Sequence, residues 1–205
     1  NSAISPDGTL NANLVIPSTS LQSNHRIQKN FSTVPIVNNF YTFSIFVKAT
    51  EDYKGLTINL GASRAYVSFD LENEVVLKTI ANGTDASQIS ANIEKYPNGW
   101  LRLSISVYVI TTNIAYFRMI PNQIASASYN QDGQNYAGDG INGLLFYGVQ
   151  WEKSSYKTSY IPTTSAAVTR SAETANGSGD ASTFNDSEGV LMAEISALTD
   201  DSNIE

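Results

Sequence analysis

Cysteine is absent from the 205-residue chain. That excludes disulfides, thiolate metal sites and a cysteine nucleophile, and leaves the redox compartment open. No apolar run reaches the roughly 18–20 residues of a membrane-spanning helix. Asn1 opens neither a basic n-region nor a signal-peptide core. The chain therefore reads as soluble, without membrane insertion, and its start as a cut from something longer. Its one histidine, His25, lies in SNHRIQKN. With no G-x-S-x-G or H-E-x-x-H motif near it, His25 reads as a surface or edge-strand residue rather than a catalytic base. No glycine-rich phosphate loop opens a helix, because there is scarcely a helix to open.

Basic residues are also missing from residues 171–205. All 12 Lys and Arg lie at or before Arg170, against 11 of the 19 acidic residues, so residues 1–170 carry a net +1 and the remainder holds 8 acids. Of the 21 aromatics only Phe184 falls in that acidic segment. The boundary at Arg170 separates an aromatic-rich body, 1–170, from a small-residue tail, 171–205. A nearly neutral body lacks the basic stripe that nucleic acid requires, so neutral ligands suit it better. The tail holds ANGSGDAST, a linker composition, then FNDSEGVLMAEISAL, whose apolar residues form one strand or short helix with no partner in its own segment. It docks on the body, docks on another subunit, or opens a further, truncated domain; the last is preferred.

What is present is period-two alternation of β-branched and aromatic residues between Gly, Asn, Asp and Pro, the pattern of an antiparallel all-β domain. LNANLVI, HRIQKNF, YTFSIFVKA, LTINLG, AYVSFDL, EVVLKTI, GWLRLSISVYVI, NIAYFRMI and GLLFYGVQWE read as eight or nine strands. They predict a jelly-roll β-sandwich, with an open barrel as the alternative.

Alternation also sorts side chains by face. In YTFSIFVKA, Tyr41, Phe43, Ile45 and Val47 form the core set, with Thr42, Ser44, Phe46 and Lys48 opposite. In GWLRLSISVY, Leu101, Leu103, Ile105 and Val107 go inward and Trp100, Arg102, Ser104, Ser106 and Tyr108 outward. In GLLFYGVQWE, Leu145, Tyr147, Val149 and Trp151 read as core, leaving Phe146, Gly148, Gln150 and Glu152 outside. Three strands thus present aromatics, planar polar groups and small residues on one face. A sugar ring needs that combination: an aromatic for its C–H face, and amides or guanidinium groups for its hydroxyl rim. The candidate carbohydrate-binding residues are Phe46, Lys48, Trp100, Arg102, Phe146, Gln150 and Glu152. The bland alternative has Trp100 plugging a sandwich end, Phe46 and Phe146 under loops, and Lys48 and Arg102 solvated.

A second candidate is the loop SYNQDGQNYAGDGINGLL, where Tyr129 and Tyr136 sit among Gly, Asn and Asp as in adaptable recognition loops. Asp132 and Asp139 there could hold a structural calcium, although the spacing is not that of a defined oxygen-ligand loop; no other cofactor is expected. A glycosidase needs two facing carboxylates, and Glu152 is the only acid on a strand with candidate site residues. Glycosylation sequons at Asn30, Asn82, Asn176 and Asn185 fit surface loops.

Taken together and in order, SPDGTLNANLV, YTFSIFVKA, YPNGWLRLSISV, GDGINGLLFYGVQWEKSSYKTSYIPT and SAAVTR resemble carbohydrate-binding modules of the family 4 and 9 type found in phage tail and appendage proteins. The resemblance spans residues 5–170. It implies a non-catalytic, lectin-like jelly roll in a tail fibre or adhesin, on a virion tail or extracellular, followed by a lectin-like domain whose opening strand FNDSEGVLMAEISAL resembles. On matching positions it implies Lys48 closing one strand, Trp100 and Arg102 in a GWYR-like motif, and Gln150 and Glu152 in a GAQLE-like strand. Phe46 stands where tyrosine is usual, Leu101 replaces an aromatic, and Trp151 replaces an aliphatic residue. The strand that often precedes PDGT has only residues 1–4 to supply it. Gln150 is then expected to face the groove with Lys48 and Arg102, Glu152 to sit at its rim or brace Arg102, and SYIPTTSAAVTR to be an exit strand. The expected partner is a polysaccharide or cell-surface glycan, with no nucleic acid, and a homo-oligomer is compatible. The alternatives are a structural or oligomerisation sandwich of a tail fibre, or a polysaccharide-degrading enzyme or its appended binding module.

Overall fold

The alternating segments fold into eleven strands: β1 (Ala3–Ile4), β2 (Leu10–Val15), β3 (Ile27–Asn30), β4 (Asn39–Lys48), β5 (Gly55–Leu60), β6 (Ala65–Asp70), β7 (Val75–Ala81), β8 (Ala86–Tyr96), β9 (Trp100–Val109), β10 (Tyr116–Asn122) and β11 (Leu144–Glu152). The computed structural model describes residues 1–163 apart from 32, 62 and 63, and residue 168. Among these there is no α-helix, only a 3-10 turn at Pro97–Gly99. The chain divides into Asn1–Thr164 and Ser165–Glu205. The expectations for the tail, for Asn176 and Asn185, and for most of the exit segment beyond residue 163 lie outside the described residues.

All pairings are antiparallel. A larger, six-stranded sheet runs β1-β2-β11-β4-β9-β8, and a smaller, five-stranded one runs β3-β10-β5-β6-β7. The two pack face to face as a β-sandwich of jelly-roll-like all-β architecture. Between them lie Tyr41, Phe43, Ile45 and Val47 of β4 and Leu101, Leu103, Ile105 and Val107 of β9, against Leu56, Ile58, Val67 and Phe69 of the smaller sheet. Parity for β4 and β9 is as alternation predicts. Residues 3–4 supply the strand before PDGT, β1, which pairs β2, and one strand exceeds the sequence reading: β8, whose Ile89, Ala91 and Ile93 face the core between outward polar residues.

In β11 parity changes midway. Phe146 pairs Val47 and is buried in the core, Tyr147 pairs Phe46 on the outer face, and the register then shifts so that Gln150 pairs Ser44 and Trp151 pairs Phe43. The extra residue sits at Gly148, whose φ of +63° suits glycine. A bulge exchanges the faces of everything on one side of it. Leu145 and Tyr147 therefore point outward and Phe146 inward, the reverse of the sequence reading, while Gln150, Trp151 and Glu152 stand as expected. Trp151 stacks on Phe31 (centroids 4.0 Å, 9°) and beside Tyr41 (5.1 Å, 16°), which explains an aromatic at that position.

In the loop from Ser128 to Gly143, one of the two tyrosines read as recognition residues packs into the fold instead. Tyr136 is buried, its hydroxyl donates to the Pro121 carbonyl at 2.8 Å, and burial pushes that hydroxyl's pKa well above the ordinary phenol value. Gln131 O accepts from Asn59 Nδ2 at 3.3 Å, so this loop also caps buried polar groups of the smaller sheet. His25 is buried too, with Nε2 2.9 Å from Tyr136 O and its ring 4.4 Å from the Tyr136 ring, a correction to its surface assignment.

Turns are fixed by carboxylates. Asp85 is buried between the β7–β8 and β9–β10 connections. It accepts from Thr111 Oγ1 (2.5 Å), Asn113 Nδ2 (2.6 Å) and Asn82 Nδ2 (2.7 Å), and lies 3.0 Å from Arg64 Nη1. The donors from Thr111, Asn113 and Asn82, aided by Arg64, hold its pKa down to about 2. A pKa lower in the folded than in the unfolded chain means stability that is full above about pH 4 and is lost as pH falls toward 2. Asp85→Ala should cost about 1–3 kcal/mol near neutral pH by stranding these donors. It should also flatten the acid limb of the melting temperature between pH 4 and 2, read by calorimetry across that range.

Candidate functional site: the outer face of the larger sheet

Unbroken pairing of β4 with β9, and of β9 with β8 past its bulge, arranges the outer side chains in rungs across the sheet. One rung runs Tyr147, Phe46, Arg102, Glu94; the next Gln150, Ser44, Ser104, Asn92; the next Glu152, Thr42, Ser106, Ser90. At the near end Trp100 pairs Tyr96, and at the far end Phe40 and Tyr108 pack edge to face at 5.2 Å. The first rung is aromatic and charged, the second is hydroxyls and amides, and the third is hydroxyls ended by the Glu152 carboxylate.

Phe46 and Trp100 share this face, as expected, but are 3% and 2% exposed. They form a second apolar cluster with Ala12, flanked by Tyr96, Leu145, Tyr147 and Tyr160. Phe46 meets Tyr96 and Tyr160 edge on, at 4.9 and 5.9 Å. The Trp100 indole donates to the Ile4 carbonyl at 3.2 Å. Strands β1 and β9 stand four places apart in the sheet, about 19 Å if it were flat, so the hydrogen bond requires this face to curl inward. Neither ring is open for stacking; both are floor. Lys48 stands at the same end, with its Cε beside Gly99, and makes no ion pair among the described residues.

Gln150 and Glu152 lie on this face but are engaged. Glu152 accepts from Gln150 Nε2 (2.9 Å), Thr158 N (2.9 Å) and Thr158 Oγ1 (2.8 Å), while Gln150 Oε1 accepts from Ile161 N (2.9 Å). Thr42 Oγ1 adds a bond to Ser154 O at 2.9 Å. Residues 153–161 thus form a strap, not a strand, tied across the β11–β4 half of the face. Glu152 braces the strap rather than Arg102. Phe146 is absent from this face altogether, the β11 bulge having turned it into the core.

The strap leaves the β9–β8 half open. There a groove of about 390 Å³ has Ser104, Ser106, Ser90 and Asn92 as floor and Ser155, Tyr156 and Lys157 as wall. Tyr156 is 68% exposed. Lys157 Nζ is 3.2 Å from Glu94 Oε2. Among the described residues no carboxylate lines the groove, and its chemistry is that of hydrogen bonds to hydroxyls and an amide beside one accessible ring and the Lys157 ammonium. Ser104 and Ser106 were legible as outward small residues. Ser90 and Asn92 were missed because ASQISANIEKY is weakly hydrophobic, although Ile89, Ala91 and Ile93 alternate in it. Tyr156 and Lys157 were missed because a strap carries no periodicity.

Asp139 accepts from Ile141 N, Asn142 N and Asn142 Nδ2 within its own turn, and Asp132 from Gln131. Among the described residues no three His, Asp or Glu side chains gather as a metal site. No described helix is long and apolar enough to cross a membrane. No protein-family model and no curated protein sequence matches the chain.

Phe146→Ala should lower unfolding free energy by about 3–5 kcal/mol, measured by urea denaturation. Glu152→Ala should instead speed amide exchange at Thr158 about ten-fold or more, with a smaller loss of global stability, because it frees only the strap.

Proposed function

We propose that this β-sandwich is a non-catalytic carbohydrate-binding module, of the glycan-recognition kind that phage tail and receptor-binding proteins carry. Its ligand is a polysaccharide or cell-surface glycan. One observation carries this: a groove on an inward-curled sheet face whose floor is hydroxyl and amide and whose wall offers an exposed tyrosine. A sugar lies with its C–H face on Tyr156 and its hydroxyls on Asn92, Ser90, Ser104 and Ser106. Among the described residues the groove lining holds hydroxyls, an amide, a phenol and an ammonium and no carboxylate pair, which favours binding over glycoside hydrolysis. A shallow site of this size binds weakly, and repeated copies on one particle supply avidity.

A glycan-array screen of the full chain beside Tyr156→Ala and Asn92→Ala tests it. Wild type should bind at least one glycan, Tyr156→Ala should weaken that binding about ten-fold or more, and Asn92→Ala should weaken it less. A folded wild type that binds no glycan, or a Tyr156→Ala variant that binds as well as wild type, would refute the assignment.

A further inference from the structure

Strands β2 and β8 stand toward opposite edges of the larger sheet, and β3 is an edge of the smaller one. Where β2 ends at Val15 and β3 begins at Ile27, a second cavity of about 230 Å³ opens, sharing no residue with the groove. Val15 and Ile27 pack against the core, and Pro17 and Pro121 extend the apolar wall. Ser18, Gln22 and Arg26 line the cavity too and are exposed, and Arg26 makes no ion pair among the described residues. The volume is below the roughly 300 Å³ at which drug-sized sites begin, so it suits a substituent rather than an oligosaccharide.

His25 is the one buried polar side chain in this lining. Its ring is fixed from behind: it lies 4.4 Å from the Tyr136 ring, and Nε2 is 2.9 Å from Tyr136 O. A carbonyl oxygen only accepts, so Nε2 carries the proton and Nδ1 of the neutral ring keeps its lone pair. Nδ1 faces Ser18 Oγ and Gln22 Nε2, each at 3.4 Å, beyond the usual bond range of about 2.7–3.2 Å. A buried acceptor is thus held rigidly but met only loosely, on the side where both of its neighbours line the cavity.

A group that fits here donates to Nδ1, accepts from a rim donor such as Arg26, and brings an apolar end for Val15, Ile27 and Pro121. A carboxylate fails the first requirement and a bare hydroxyl the third. An acetamido group meets all three, with its N–H, its carbonyl and its methyl. Ser18 and Gln22, being exposed, can yield Nδ1 to it.

We propose that this cavity is a second sugar contact, taking the acetamido group of an N-acetylated amino sugar with its N–H on His25 Nδ1 and its methyl on Val15 and Ile27. This rests on the glycan-binding function above and adds to it a site and a ligand class.

The test titrates N-acetylglucosamine, N-acetylgalactosamine and N-acetylmannosamine, beside glucose, galactose and mannose, into the ¹⁵N-labelled full chain near neutral pH. His25 is the one histidine of the chain, so its ring nitrogens need no assignment by mutation. At least one N-acetylated sugar should move the Nδ1 resonance and the Ser18 and Ile27 amides, and bind there about ten-fold or more tightly than its parent hexose. Arg26→Ala, at an exposed position, should weaken that binding about ten-fold. Parent hexoses that bind in the cavity as well as the N-acetylated sugars, or an N-acetylated sugar that leaves Nδ1 unmoved, overturn the proposal. Shifts confined to Ser90, Asn92, Ser104 and Ser106 overturn it while leaving the glycan function standing. Silence from all six sugars also overturns it, and the glycan array then decides the groove by itself.

Discussion

The pairing of β4 with β9 is the constraint on which the rest depends. It runs through nine Cα pairs, Asn39–Val109 to Val47–Leu101, without a shift. From Tyr41 to Val47 and from Leu101 to Val109, one face of that ladder fills the sandwich core; the other carries Thr42, Ser44, Phe46, Arg102, Ser104 and Ser106. A one-residue slip of β9 would drive a guanidinium and two hydroxyls between the sheets, one of β4 would drive in two hydroxyls, and either would expose apolar side chains. The register is thus enforced from both faces, and both the core and the groove floor inherit their composition from it.

Strand β11 departs from such regularity, and the site is shaped by the departure. The bulge at Gly148 turns Tyr147 and Gln150 to the same outer face, where Tyr147 donates to Asp7 at 2.6 Å and Gln150 holds the strap. A Cβ at Gly148 would lie 3.1 Å from both the Phe46 and Tyr160 rings, so a larger residue would lift the strap from its seat. The strap in turn halves the open face. What remains is a groove over β9 and β8 rather than a broad sheet surface.

Charge is distributed unevenly between carboxylates and guanidinium. Asp7 accepts from Thr9, Tyr147, Ser5 and Asn11, and these bonds, that from Thr9 foremost, hold its carboxyl well below the usual range. Asp85 and Glu152 are likewise surrounded by donors. These acids are fasteners for turns and strap, committed inside the fold. Arg102 is the opposite case: a buried cation on the outer face of the larger sheet, held in place by Ser44 and Phe46 and, among the described residues, in no ion pair.

The sequence by itself determined the all-β class, the two faces of β4 and β9, and the outward placement of Phe46, Trp100, Arg102, Gln150 and Glu152. Those features follow from alternation, which is local: a residue's side is set by its neighbours along one strand. Tertiary structure alone decided that Phe46 and Trp100 are covered, that Phe146 is core, that Gln150 and Glu152 hold a strap, and that Ser90, Asn92, Tyr156 and Lys157 make the groove. Each of those outcomes depends on contacts between residues distant in the chain, Trp100 with Ile4 or Thr42 with Ser154, or on a one-residue bulge. Alternation cannot register either, because burial and register are properties of the packed neighbours and not of the strand that carries the residue.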